Sequence, residues 1–315
     1  MNFFVTGGAG FIGCNIVRKL LKNGHQVTIL DDMSLGKREN LKGLPRGKMR
    51  LVEGDVRDAR VVQDLTKDID GIFHDAGRSS APMFSPDPRE GIEINLNGFL
   101  NAIEAARRND IPLVYASTSS LYSKSEPPHM EGLSVTPGSF YEYSFYVREA
   151  VGRLYSELYG VSVVGLRYFS VYGPHEEHKG KYANNISQFM WDLMKGKSPV
   201  IYGDGTQTRD FIFVEDVVEA NLLAMNAGLK GEVINVGTGA STSFNEVVGL
   251  LNKELGMNIG PTYVPNPIKN YVRHTQADTK KAQRLLNFRA QVPLNEGIKR
   301  TKEYCLSKQA QAKQP

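Results

Sequence analysis

Apolar residues along this chain follow two spacings that take turns. Short continuous runs read as buried strands: FFVT (3–6), VTIL (27–30), RLVEG (50–54), GIFH (71–74), PLVYAS (112–117) and VSVVGLRYF (161–169). Between them, apolar positions recur at helical intervals. Ile12, Ile16, Val17, Leu20 and Leu21 share one face, with Gly24 as a stop. Ile92, Leu96, Leu100 and Ile103 do the same over 92–109, and Val147, Val151, Leu154 and Leu158 over about 142–159. Strand and helix in alternation predict a parallel sheet covered by helices on both faces.

After Phe169 the rhythm changes. Residues 174–185 are polar and loop-like, ISQFMWDLMKG (186–196) reads as a helix, and PVIYGDGTQTRDFIFV (199–214) as strand pieces around a glycine-rich turn. EVINVG (232–237) is again a buried strand, expected to return to the main sheet with a helix near 215–226. The reading is therefore an α/β domain over 1–169 and a smaller mixed α/β C-terminal substrate lobe over 170–315, discontinuous in sequence. The final SKQAQAKQP is expected to fray, and Trp191 to join the core of the second lobe.

Composition narrows the class. The chain has 315 residues, 41% of them hydrophobic, enough for a large core. A net charge of +4 without a Lys/Arg block argues against nucleic acid and membrane surfaces as partners. Cys14 and Cys305 are far apart, so neither a disulfide framework nor a metal set is expected. No apolar run approaches the ~20 residues of a membrane span. A cytoplasmic protein is the expectation. His175 and His178 flank two glutamates but lack the helix that a metal-binding pair needs, so a solvated or substrate-lining loop is expected there.

The candidate chemistry starts at TGGAGFIG (6–13), between the first strand and the first helix. Gly7, Gly10 and Gly13 allow backbone to approach a pyrophosphate, and the helix start at Phe11 and Ile12 offers free N–H groups. Asp31 closes the second strand, 18 residues after Gly13, where a carboxylate accepts from ribose hydroxyls and repels a 2′-phosphate. NAD is the cofactor expected, in a Rossmann-type doubly wound sheet. Lys37 lies nearby and weighs the other way.

With TGGAGFIG (6–13), DDMSLGKREN (31–40), EGDVRD (53–58), HDAGRSS (74–80), YASTSSLYS (115–123), LRYFSVYGP (166–174), IYGDGTQTRDFIFVEDV (201–217), INVGTG (234–239) and ADTKKA (277–282), the chain resembles the extended short-chain dehydrogenase/reductase family, nucleotide-sugar epimerases and dehydratases in particular. The resemblance implies NAD, a nucleoside-diphosphate sugar, most simply a UDP-sugar, and a homodimer formed by the helices matching 92–109 and 142–159. It implies Tyr141 as the base that takes a sugar hydroxyl proton, and Thr118 as the hydroxyl sharing that hydrogen bond. Asp32, Ser34, Gly36, Lys37, Asp55, Val56, Ala76, Gly77, Arg78, Asn95, Ser117 and Tyr168 are implied around the cofactor. Ser79, Ser80, Ser170, Tyr202, Arg209 and Arg273 are implied around the substrate. Arg209 would be a diphosphate clamp, and Lys269 or Arg273 would meet the second phosphate.

One position departs. The family pattern Tyr-x-x-x-Lys reads Tyr141-Glu142-Tyr143-Ser144-Phe145. The lysine would lower the tyrosine pKa. Unassisted, with a pKa about 10, only about one part in a thousand is phenolate at pH 7. Arg148 lies two turns along the same face; its long side chain is a candidate to reach back and replace the lysine's charge, but pairing with Glu149 or Glu104 is the expectation. Phe145 then fits a natural variant with slower chemistry, an engineered replacement, or a scaffold that kept ligand binding alone. Family members that eliminate water or decarboxylate resemble one another in carrying a carboxylate just after the Thr; here Ser119 and Ser120 follow. The chemistry implied is 4-epimerisation through a transient 4-keto sugar. A nucleotide-sugar dehydrogenase or dehydratase, or a binding protein with weak turnover, are the alternatives. His74 is expected as a packing histidine, with Tyr143 and Tyr146 as packing or dimer-face aromatics.

Overall fold

The structure is a computed structural model that describes residues 1–267 and 271–312. The elements over the first part are β1 (Asn2–Thr6), α1 (Phe11–Lys22), β2 (Gln26–Asp31), β3 (Met49–Glu53), α2 (Ala59–Leu65), β4 (Gly71–His74), α3 (Pro88–Asn109), β5 (Leu113–Thr118), α4 (Phe140–Tyr159) and β6 (Val163–Tyr168). The second part adds β7 (Ser170–Tyr172), α5 (Asn185–Met194), β8 (Val200–Tyr202), β9 (Thr208–Arg209), β10 (Phe211–Phe213), α6 (Val214–Asn226) and β11 (Glu232–Val236). It ends with β12 (Thr242–Ser243), α7 (Phe244–Leu255), β13 (Thr262–Val264), α8 (Lys280–Leu286) and α9 (Leu294–Ala312).

Seven strands form one parallel sheet in the order β11-β6-β5-β4-β1-β2-β3. The chain winds one way from β1 to β3 and the other way from β4 to β6. The order reverses between β1 and β4, which opens a crevice at the carboxyl ends of those strands. Two hydrophobic cores fill the faces. One holds Ile16, Val17 and Leu20 of α1 with Val217 and Ala220 of α6; the other holds Phe99, Ala102 and Ile103 of α3 with Tyr115 of β5. Strand β11 pairs with β6, so the chain leaves the sheet after β6 and returns to it.

The helix ends follow their sequence. Asp87 caps α3, its side chain accepting from the Glu90 N–H, with proline opening the first turn. Ser139 caps α4 by accepting from the Glu142 N–H, and Gly160 ends it in the left-handed conformation. The second lobe packs α5, α7 and α9 over Ile186, Phe189, Met190, Phe244 and Ile298. Two expectations are corrected here. Of the tail expected to fray, residues 307–312 continue helix α9, and 313–315 lie outside the described residues. Trp191 is half-buried rather than core, and lines a separate groove with Cys305. Among the described residues no helix is long and apolar enough to cross a membrane.

Candidate active site

The crevice at the β1/β4 switch gathers most of the expected residues on one surface. It begins at the glycine turn. Gly7 has φ +69°, and a Cβ there would stand 2.8 Å from the Ala76 nitrogen. A Cβ on Gly13 would stand 2.2 Å from the Gly7 carbonyl oxygen. The turn closes only without side chains at these two positions. Gly10 caps α1 with no side chain, leaving the first N–H groups of the helix open toward the crevice. Phe11 and Ile12 line it as well.

Asp31, Asp32, Ser34, Gly36, Asp55 and Val56 form the wall beyond the turn. The Asp31 carboxylate accepts from the Ala9 and Met33 N–H groups, at 2.9 Å each, and burial pushes its pKa up. A Cβ on Gly36 would lie 2.5 Å from Asp31 Oδ1, so glycine keeps the loop pressed onto that carboxylate. Asp32 holds the loop by accepting from the Ser34 N–H and hydroxyl. Arg57 grips Asp55 and holds its carboxyl below the usual range. Lys37 lies outside the crevice lining; its backbone N–H donates to the Ala9 carbonyl.

The floor comes from the segment after β4. Ala76, Gly77, Arg78 and Ser79 line it. Asn95 is fully buried behind them and does not face the crevice. Its Oδ1 accepts from the Arg78 N–H at 2.7 Å, and its amide donates to the Arg78 carbonyl and to Ser144. Asn95 thus shapes the floor through backbone. His74 is buried, with Nδ1 2.9 Å from the Thr6 hydroxyl, and burial pushes its pKa down, so it stays neutral.

At the far end, the Tyr141 hydroxyl donates to Thr118 Oγ1 at 2.9 Å. Thr118 comes from the end of β5 and Tyr141 from the first turn of α4, 23 residues apart in sequence. Tyr141 is 8% exposed. Burial pushes its pKa up, the hydrogen bonds to Thr118 and Ser120 pull it down, Glu142 raises it, and the Arg148 charge lowers it. Phe145 meets Tyr141 edge-on, ring centroids 5.1 Å apart. Ser117 lines the crevice, but its hydroxyl donates to Glu149 at 2.5 Å. Tyr168 donates to Asn221 and more weakly to Asp75.

The remaining substrate candidates divide. Ser79 and Ser170 line the crevice. Ser80 is turned away, its hydroxyl buried without a partner among the described residues. Tyr202 is exposed on β8. The Arg209 guanidinium stacks on Phe244 and Tyr271 and donates to the carbonyls of Thr208, Val272 and Arg273, outside the crevice lining. Arg273 is exposed beside Asp204 and Thr206. Lys269 lies outside the described residues. In the loop after Pro174, Glu176 is buried and accepts from the Asn184 N–H and the Ser187 hydroxyl, while His175 meets Tyr304. Among the described residues no three metal-ligating side chains cluster.

Asp75 is a crevice acid that was not singled out for the site from sequence. Its Oδ2 is buried and unpartnered, and burial pushes its carboxyl up to about 7. Arg148 lines the crevice too, and pairs with neither Glu149 nor Glu104, which corrects the expectation. Glu149 is taken by Arg167, and Glu104 by Arg107, Arg108 and Tyr155. The available signal was its spacing, three residues after Phe145 and seven after Tyr141.

The glycine cradle that side chains would fill, the open start of α1 and the carboxylate at Asp31 fit a dinucleotide. Comparison with known proteins agrees. Residues 3–237 match the NAD dependent epimerase/dehydratase family. A putative UDP-glucose 4-epimerase of Methanocaldococcus jannaschii is 37% identical over 94% of this chain and 95% of its own. A UDP-N-acetyl-alpha-D-glucosaminuronate decarboxylase of Bacillus cytotoxicus is 31% identical over 94% and 95%. Among solved structures, UDP-glucose 4-epimerase from Thermotoga maritima with UDP-glucose superposes with a TM-score of 0.92, at 32% identity, covering 98% of this chain and all of that one.

Proposed function

This chain belongs to the NAD dependent epimerase/dehydratase family, and on that premise we propose that it is a UDP-sugar 4-epimerase working through a transient 4-keto sugar. Bound NAD supplies a reversible hydride acceptor for sugar C4. Residues of the glycine turn, with Asp31, hold the dinucleotide. Tyr141 takes the proton of the C4 hydroxyl and gives it back once the sugar has turned; Thr118 orients that hydroxyl and shares its hydrogen bond.

One observation carries the reading. The Tyr141–Thr118 pair, 2.9 Å apart, lies in the same crevice as the glycine turn, and the residues after Thr118 are the hydroxyls of Ser119 and Ser120. Removal of water or carbon dioxide would call for a second acid–base group beside the Thr; retention of the sugar with inversion at C4 needs only the pair. The test is direct. The protein is incubated with UDP-glucose, and separately with UDP-N-acetylglucosamine, and the sugar protons are followed by NMR. A mixture of C4 epimers with no lasting NADH absorbance is expected. A keto sugar, or a pentose product in a parallel incubation with UDP-glucuronate, would overturn the reading. Tyr141→Phe should lower the rate ~10²–10⁴-fold, the range for losing a general base.

The reading extends to assembly. Leu100 on α3, with Tyr143, Leu154 and Leu158 on α4, leaves apolar surface facing outward; Leu158 is 69% exposed and Tyr143 58%. This supports a homodimer through α3 and α4, to be checked by sedimentation. Two free cysteines support a cytoplasmic address.

A further inference from the structure

One charge in the crevice has no ion-pair partner within 4.0 Å among the described residues. Arg148 is 1% exposed, among the most buried side chains of the protein. Its Nε donates to the Asn95 carbonyl at 2.8 Å and its Nη2 to the Ala76 carbonyl at 3.2 Å. Its guanidinium carbon stands 4.7 Å from the centre of the Phe145 ring. No carboxylate lies within 4.0 Å of it among the described residues. A buried arginine with only carbonyls and the rings of Phe145 and Phe99 as company is costly to keep, and burial brings its pKa down to about 10. It therefore remains a cation at neutral pH.

One ring links that charge to Tyr141. Phe145 meets both, edge-on to Tyr141 at 5.1 Å and with its ring centre 4.7 Å from the Arg148 guanidinium carbon. From β4, His74 is neutral and the Asp75 carboxyl is about half protonated near pH 7. From β5, Tyr115 is buried and neutral, its hydroxyl pushed well up by burial. On α4 itself, Glu142 accepts from the Gly138 N–H and Ser123, and Glu149 is bound by Arg167 of β6. From α3, Glu104 faces its own arginines. Gly77 packs against the guanidinium by backbone alone; a Cβ there would lie 2.8 Å from Nη2.

We propose that Arg148 is the positioning cation of this site: stacked on Phe145, it supplies from one helical turn further along the positive charge that a lysine at 145 would have supplied to Tyr141. Phe145 then has a purpose of its own, since a flat ring four residues after Tyr141 seats a guanidinium and a flexible aliphatic chain would not. The inference rests on the proposed function for its chemistry, and on the Arg148 geometry for its physics.

The test reads Tyr141 itself. Tyrosinate ultraviolet absorbance is titrated in the NAD-loaded protein, and the Tyr141→Phe curve is subtracted to isolate one residue. In Arg148→Met the Tyr141 midpoint is expected to rise by about one pH unit, the lower end of what a nearby opposite charge contributes. The acid limb of turnover should move by the same amount. Arg148→Lys, which keeps the charge, should hold the midpoint near that of the unaltered protein. Arg148→Met combined with Phe145→Lys should bring it back down. An unchanged midpoint in a folded Arg148→Met, or an equal rise in Arg148→Lys, reduces Arg148 to a brace for the floor and overturns the proposal. If Arg148→Met does not fold, Arg148→Gln, which can still donate to the Asn95 or Ala76 carbonyl but carries no charge, takes its place with the same expected rise and the same overturning result. A shifted midpoint in a protein that interconverts no sugar upholds the role of Arg148 and refutes the epimerase reading.

Discussion

Helix α4 carries two adjacent charges, and its two faces treat them in opposite ways. Toward the sheet, Glu149 accepts from Ser117 and from Arg167 at 2.8 and 2.6 Å; Arg167 also donates to Tyr122, which donates to Asn235. Desolvation alone would depress Arg167, but the hydrogen bonds and charge of Glu149 outweigh it and hold the guanidinium above its ordinary value. Toward the crevice, Arg148 has carbonyls and rings. The sheet-facing network is complete without any ligand. The crevice-facing one is not, and this difference separates a charge that specifies the fold from one available to chemistry.

The largest expected effect tests the closed side. Arg167→Met strands Glu149 in the interior and should cost about 3–5 kcal/mol in urea unfolding. Adding Glu149→Leu should recover most of it. A loss below about 1 kcal/mol would mean that this pair behaves like a surface ion pair and that the two faces do not differ. The next effect tests the open side. The Asp75 carboxyl, raised to about 7 by burial, binds its proton more tightly folded than unfolded. Its penalty on stability is absent below the unfolded pKa near 4, grows as pH rises, and is complete above about 7. Asp75→Asn should therefore match the unaltered protein near pH 4 and exceed it by about 1–3 kcal/mol at pH 8, measured by urea unfolding at both. A pH-independent difference would place that carboxyl in water. The smallest effect concerns the seat of Arg148. Phe145→Leu should cost about 1–2 kcal/mol, and less in an Arg148→Met background; equal costs in both would show that ring and guanidinium do not interact.

What was legible in the sequence was what is local or what backbone performs. The glycine turn, the carboxylate ending β2, and the strand–helix alternation depend on residues a few positions apart. The Tyr141–Thr118 pair was reached by resemblance, and the structure brings the two hydroxyls together. The fate of Arg148 was not legible, because it depends on which acids are already engaged. Glu149 is taken by an arginine 18 residues on, and Glu104 by its own helix. Asn95 was expected at the cofactor and works one layer behind, through the backbone of Arg78. The placement of Arg209 turns on the approach of residues 272–273 to β9, a long-range contact that spacing does not encode.

The return of β11 to the sheet governs how the chain may be cut and how it is born. A fragment ending at 169 would present β6 as a bare edge, its row of unpaired amides and carbonyls open to any passing strand. Nor does a ribosome release a finished nucleotide domain after the sixth strand. The β6 edge stays uncovered until residue 236 has emerged, so the sheet is completed only after part of the second lobe has been made.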